Sequence, residues 1–278
     1  MSPRQIDSSA IDKVLADAVE AGGVPNAVAL AADADGIFYE GAAGRRVADQ
    51  DSEPVSADSH FRIMSMTKMV ATAAALQQME KGTLDLDAPV EEYCPEFAQV
   101  QVLEGWDGDT PKLRAPASKA TVKQLITHTS GLGYWFWNAD LVRWEAATGT
   151  PNVLSGANVI FTAPMVADPG TKLEYGITPD GLGKVIEATA GVTLDVAVKE
   201  GITGPLGMTE TEFRMSDAQR ANSVPVHLQG EGGARPPRQP PAQRLHVDRA
   251  RGGDVRQAEQ GANCNVHRIP PLRCVAST

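Results

Sequence analysis

The chain has 278 residues, of which 42% are hydrophobic and 22% charged, with three cysteines and a net charge of −10. This composition excludes collagen-like, disulfide-scaffold and globally disordered chains, and the length suits one large domain or two small ones. The charge divides unevenly: 17 Lys+Arg face 31 Asp+Glu up to Leu228, while the last fifty residues hold 8 Arg, no Lys and 4 acidic residues.

Ile11, Val14, Leu15, Ala18 and Val19 recur at helical spacing before Gly22-Gly23, which predicts an amphipathic opening helix. Ala27–Ala31 and Gly36–Gly44 read as strands joined by a hairpin turn at Ala34-Asp35-Gly36. Polar chain then leads through Phe61–Met64 to Ser65–Lys81, which reads as a helix ended by Gly82. Beyond it, helices and long loops are expected, with a short helix near Val90, another over Thr121–His128, and one starting at Thr178-Pro179 and stopping at Gly191. A helix and antiparallel strands, then helices without β-α-β alternation, predict an α+β fold.

An acidic body argues against a nucleic-acid partner, because phosphate binding needs clustered Lys and Arg. No run of 18 apolar residues suggests a membrane span, and Met1-Ser2-Pro3-Arg4-Gln5 opens no apolar secretory segment. Cys94, Cys264 and Cys274 have no metal-ligand spacing, so a cytoplasmic location without metal or cofactor is expected. G-x-S-x-G, GxGxxG, P-loop and HExxH patterns are all absent.

The chain does contain Ser65-Met66-Thr67-Lys68 at the head of an apolar helix. Residues three apart share a helix face, which places the Lys68 amine one turn from the Ser65 hydroxyl. A lysine acts as base only when neutral, which calls for apolar shelter; Met64, Met66 and Met69 are the expected source. Taken alone, the same residues also describe an N-cap serine followed by a surface lysine. Two more segments follow in order: Leu125-Ile126-Thr127-His128-Thr129-Ser130-Gly131-Leu132, and Pro169-Gly170-Thr171-Lys172-Leu173-Glu174-Tyr175-Gly176-Ile177.

Together these segments resemble the serine β-lactamase and penicillin-binding protein superfamily, in particular its class C-like branch with the family VIII carboxylesterases. The resemblance runs from the first helix to about Leu228. It implies a β-lactamase/transpeptidase-like fold, an antiparallel sheet flanked by helices plus a helical subdomain, incomplete at the C-terminus. It also implies Ser65 as the acylated nucleophile, Lys68 as its base and Tyr175 as the tyrosine sharing proton transfer, though a packed tyrosine after a Pro-Gly turn is an open alternative. His128 is expected to support the site without performing chemistry.

Where class C β-lactamases have an asparagine two residues after that tyrosine, this chain has Ile177, which cannot make the same hydrogen bond. The resemblance therefore favours a small-molecule ester substrate over β-lactams or D-amino-acid peptides. Tyr134, Trp135 and Trp137, with Phe136 between them, are candidate walls of an acyl pocket; four adjacent aromatics equally suit a core plug.

Nothing after Leu228 matches the superfamily's third motif, whose backbone supplies an oxyanion donor, so impaired activity and a non-catalytic truncated relative are both open. The expected organisation is residues 1–62 as an N-terminal helix with sheet strands, 63–228 as a helical region with the motifs, and 229–278 as an atypical Arg/Pro-rich tail. For that tail, lacking Met, Phe, Trp and Tyr, a flexible segment and a shifted reading frame are the two readings.

Overall fold

The predicted opening helix forms as α1 (Ser8–Glu20), and the Asp7 carboxylate caps it by accepting from the Ala10 amide. In this computed structural model the described residues are 6–48, 51–151, 161–230, 233–235 and 263–264. They fall into two units, one built from the chain up to Ile63 and from Thr203 onward, the other from Met64–Ile202. Residues 203–228, expected with the helical region, thus group with the N-terminal elements.

In the first unit β1 (Asn26–Asp33) and β2 (Gly36–Gly44) form the expected antiparallel hairpin, with Asn26 opposite Gly44 and an irregularity at Ala31/Ala32. α1 lies against β2, where the buried Tyr39 hydroxyl donates to Asp12 at 2.9 Å. β3 is the two-residue Phe61–Arg62, paired antiparallel with Asn263–Cys264, and Met64 follows at φ +48°.

Residues 58–60 are stitched to the segment that follows Thr203. The His60 amide donates to Asn222, the Val224 amide returns to His60, and the Asn222 amide group donates to Asp58. Buried His60 also meets Glu210 at 3.1 Å. Among the described residues the strands form four two-stranded antiparallel pairs, the last being Leu228–Gly230 with Gly233–Arg235. Apart from Asn263–Cys264, the remainder of the 229–278 tail, on which both its readings fall, lies outside the described residues.

The second unit is built on α2 (Thr67–Glu80), which turns Ala71, Ala74 and Ala75 inward. Alanines leave room for close approach to α5 (Thr178–Ala190), whose Leu182, Val185 and Ile186 are fully buried, and for α6 (Leu194–Val198) beside both. Leu125, Leu132 and Met165 complete this core. α3 (Val122–Ile126) opens with a reciprocal capping box, Thr121 with Gln124. α4 (Ala139–Thr148) is capped by Asn138 and ends on Gly149 in the left-handed conformation.

One hairpin was not expected from the sequence: β4 (Val102–Asp107) with β5 (Thr110–Arg114), turning at Gly108. The Asp107-Gly108 turn signal was there, without a clean alternation of polar and apolar residues around it. The end of β5 anchors the chain before the last motif. Arg114 grips Asp168 through two hydrogen bonds of 2.9 and 2.6 Å and the Ala117 amide adds a third, which hold the Asp168 carboxyl down at about 2. α5 begins at Thr178 with Pro179 in its first turn, and Ile177 occupies the cap position. No helix among the described residues is long and apolar enough to cross a membrane.

Candidate active site

Ser65 lies on a single 3-10 turn, Met64–Met66, that feeds directly into α2. A methionine held at φ +48° is uncommon backbone, and here it bends the chain sharply just before the serine. The cap position of α2 belongs to Met66 and carries no side-chain hydrogen bond. The Ser65 hydroxyl is thus not a helix cap. It accepts from Lys68 Nζ at 3.3 Å, the one-turn geometry that the spacing predicts.

Lys68 Nζ donates a second time, to the phenol of Tyr134 at 3.3 Å. Tyr134 is buried, whereas Tyr175 is 39% exposed. Tyr175 meets Lys68 through its ring, 5.2 Å from Nζ to centroid, and the Tyr134 ring stands at 5.6 Å. The two rings are 5.7 Å apart and tilted by 55°, so the amine sits in an aromatic corner with an oxygen on either side.

That corner exists because two backbone segments touch. The Glu174 amide donates to His128, Gly170 to Thr129 and Val166 to Gly131, at 2.7, 2.7 and 2.8 Å. A Cβ on Gly176 would lie 2.1 Å from the Leu132 carbonyl oxygen, and one on Gly131, at φ +90°, 2.1 Å from that of Ala167. Only glycine permits this approach.

His128 braces the same junction. Its Nδ1 is 2.7 Å from the Thr178 hydroxyl, and its ring lies 4.6 Å from that of Tyr175. Burial, with the Lys68 charge adding to it, pushes the imidazole below its usual 6.5. The neutral ring can therefore accept from Thr178. Because the folded chain holds this proton less readily than the unfolded one, stability is intact above 6.5 and declines as pH falls below it. Thermal melts should show a lower midpoint at pH 5 than at pH 7. His128→Asn, which tolerates φ +55°, should flatten part of that slope; His227, also pushed down by burial, carries some of the rest.

Of the residues singled out by sequence, Ser65, Lys68, Tyr134 and Tyr175 come together. The surroundings differ from expectation in three respects. Met64, Met66 and Met69 are 50%, 59% and 76% exposed, so they form an open apolar surface beside Ser65 instead of burying Lys68, which tyrosine rings flank. The aromatic run is neither a plug nor a continuous wall: Tyr134 is inside, Trp135 partly so, and Phe136 and Trp137 face solvent. Ile177 is buried, and with Trp135, Leu141 and Trp144 it lines a separate recess. The feature that sequence reasoning missed is the Tyr134 hydroxyl, since the pattern marked that residue as a wall and not as a partner of Lys68. Among the described residues no group of three His, Cys, Asp or Glu is placed to hold a metal.

A family model described as Beta-lactamase matches residues 11–262, which reaches past Leu228. Acyltransferase mokF of Monascus pilosus is 35% identical over 222 residues, or 77% of this chain and 53% of that protein. Lovastatin esterase of Penicillium rubens is 35% identical over 208 residues, 73% of this chain and 52% of that protein. The chain thus spans about half the length of these curated relatives. Among solved structures, the unliganded selenomethionyl Simvastatin Synthase (LovD) from Aspergillus terreus superposes with a TM-score of 0.78 at 29% identity, covering 94% of this chain and 66% of that one.

Proposed function

The chain belongs to the beta-lactamase family, and on that premise we propose that it is a serine hydrolase that cleaves short-chain carboxylic esters through an acyl-enzyme on Ser65. The observation that carries this reading is the doubly engaged amine, with Lys68 Nζ between the Ser65 and Tyr134 hydroxyls at 3.3 Å each. Lys68 accepts the Ser65 proton as Oγ attacks the ester carbonyl. Collapse of the tetrahedral intermediate expels the alcohol, which leaves with a proton relayed from Lys68. Water then attacks the acyl-enzyme, its proton returns through the amine and tyrosines to Ser65 Oγ, and the carboxylic acid departs. Tyr134 holds the amine in register with Ser65. Tyr175, exposed at the mouth of the site, is the phenol positioned to exchange protons with leaving alcohol and incoming water.

The preference for esters over β-lactams follows from the resemblance, in which Ile177 stands where class C β-lactamases have the asparagine that contacts a β-lactam side chain. A fluorophosphonate probe tests the nucleophile, and paired assays with p-nitrophenyl butyrate and nitrocefin test the substrate class. Labelling that survives in Ser65→Ala, or no labelling of the native chain, leaves a non-catalytic relative. Nitrocefin turnover above that of the ester reverses the preference.

A second reading is favoured by the open apolar surface of Met64, Met66 and Met69 beside Ser65. An alcohol resting there would compete with water for the acyl-enzyme, turning hydrolysis into acyl transfer, the activity in the name of the Monascus pilosus relative. Adding a primary alcohol to the butyrate assay and measuring the split between new ester and free acid distinguishes the two outcomes.

A further inference from the structure

Met64 and Met66 are the two chain neighbours of Ser65, and Met69 lies one helical turn beyond Met66. Packing does not account for these side chains, because Ala71, Ala74 and Ala75 make the inward face of α2. Large apolar side chains in water are ordinarily scattered singly, whereas three stand together here at the proposed nucleophile. What separates methionine from leucine at such a place is its sulfur: the thioether is apolar and polarisable, and oxidation makes it polar. Susceptibility follows access. Met165 and Met215 are buried, Met208 is half-buried and Met79 is less exposed than any of the three. The most exposed methionines among the described residues therefore all lie within four residues of Ser65.

We propose that Met64, Met66 and Met69 are a modification site through which hydroperoxides control the apolar surface beside Ser65. Each sulfur attacks the terminal peroxide oxygen, and an S–O bond forms as the O–O bond breaks. The departing oxygen takes the proton of the transferred one, leaving a sulfoxide and an alcohol, or water where the oxidant is hydrogen peroxide. The thioether is oxidised by two electrons and the peroxide reduced by two. An S–O dipole then stands where an apolar group was, so an apolar guest binds less well, while the Ser65, Lys68 and Tyr134 groups are chemically unchanged. The effect on turnover rests on the esterase reading above; the oxidation and the loss of apolar binding do not.

Hydrogen peroxide is added to the full chain, and sulfoxide at each methionine is followed by peptide mass spectrometry. Met64, Met66 and Met69 should be converted before Met165, Met208 and Met215. N-phenyl-1-naphthylamine, a neutral dye that fluoresces on apolar surfaces, then reads the surface without turnover. Its binding should weaken about fivefold on oxidation, the scale of lost sulfur–aromatic contacts. The triple variant Met64→Leu, Met66→Leu, Met69→Leu should bind the dye equally before and after peroxide. Met79→Leu, near the far end of α2, should respond as the native chain does. If the triple variant does not fold, Met69→Leu alone, at the most exposed of the three, should lose part of the response. Methionine sulfoxide reductases A and B with dithiothreitol should restore the native binding.

With p-nitrophenyl butyrate as substrate, oxidation should raise KM and leave kcat unchanged. The proposal is overturned if the three methionines oxidise no faster than Met165 and Met215, or if their oxidation leaves dye binding as it was. It is equally overturned if the triple leucine variant loses the dye after peroxide as the native chain does, or if an active chain keeps its KM once oxidised. A chain that shows the dye response and no turnover at all removes the esterase reading and leaves the modification site standing.

Discussion

Lys68→Met should lower the turnover of p-nitrophenyl butyrate by about 10²- to 10⁴-fold, the range for removing a positioned general base. The substitution keeps most of the side-chain volume, and Lys68 is only half-buried, so the thermal midpoint should change little. The rate of fluorophosphonate labelling at Ser65 should fall in parallel, since the same proton must leave Oγ in either reaction. Tyr134→Phe should cost less, because its phenol acts by holding the amine at 3.3 Å and not by receiving the serine proton directly. The double variant, Lys68→Met with Tyr134→Phe, separates this relay from two independent contributions. Its activity should nearly equal that of Lys68→Met alone, as for residues that act as a unit. A fully additive loss would show that Tyr134 acts without Lys68 and would remove the relay from the mechanism.

How much of this site is legible in the sequence depends on whether the signal is local. The Ser65 to Lys68 contact follows from helical spacing, and a three-residue interval fixes it wherever the helix lies. The same locality makes α1, the β1–β2 hairpin and α5 readable from periodicity and turn residues. The partner of Lys68 is another matter. Tyr134 lies 66 residues away, and its hydroxyl arrives only because Gly131–Tyr134 packs against the Tyr175 segment. No pattern along the chain distinguishes an aromatic that walls a pocket from one that also presents a hydroxyl to an amine.

The error over Met64, Met66 and Met69 has the same origin. Apolar identity alone predicted burial, whereas the inward face of α2 is occupied by alanines that leave room for α5; Met69 falls on its outward side, and Met64 and Met66 lie exposed on the turn before it. The bend just before Ser65 likewise turns on one backbone angle at Met64, in a conformation few residue types favour, so its neighbours gave no warning.

Gly176→Ala should be strongly disruptive for a single-methyl change. The added Cβ would lie 2.1 Å from the Leu132 carbonyl oxygen and 2.6 Å from both the Leu132 carbonyl carbon and the Gly133 Cα. All three atoms belong to backbone, so no side chain can rotate aside; one segment has to move. Overpacking of this kind typically costs about 1–3 kcal/mol, and a backbone obstacle places the expected value at the upper end of that range. The displaced segments carry Tyr134 on one side and Tyr175 on the other, with Lys68 between them. Turnover should therefore collapse further than stability does, because a shift of an ångström at a reacting centre alone costs about a hundredfold. Gly191→Ala provides the control: it places a methyl at a positive φ, +71°, where nothing lies within 4 Å of the new Cβ. It should lose stability through backbone strain alone and keep its activity per folded molecule. Equal losses of activity in the two variants would mean that any weakening of the second unit disturbs the site, and that the contact between the Leu132 and Tyr175 segments does not set the geometry around Lys68.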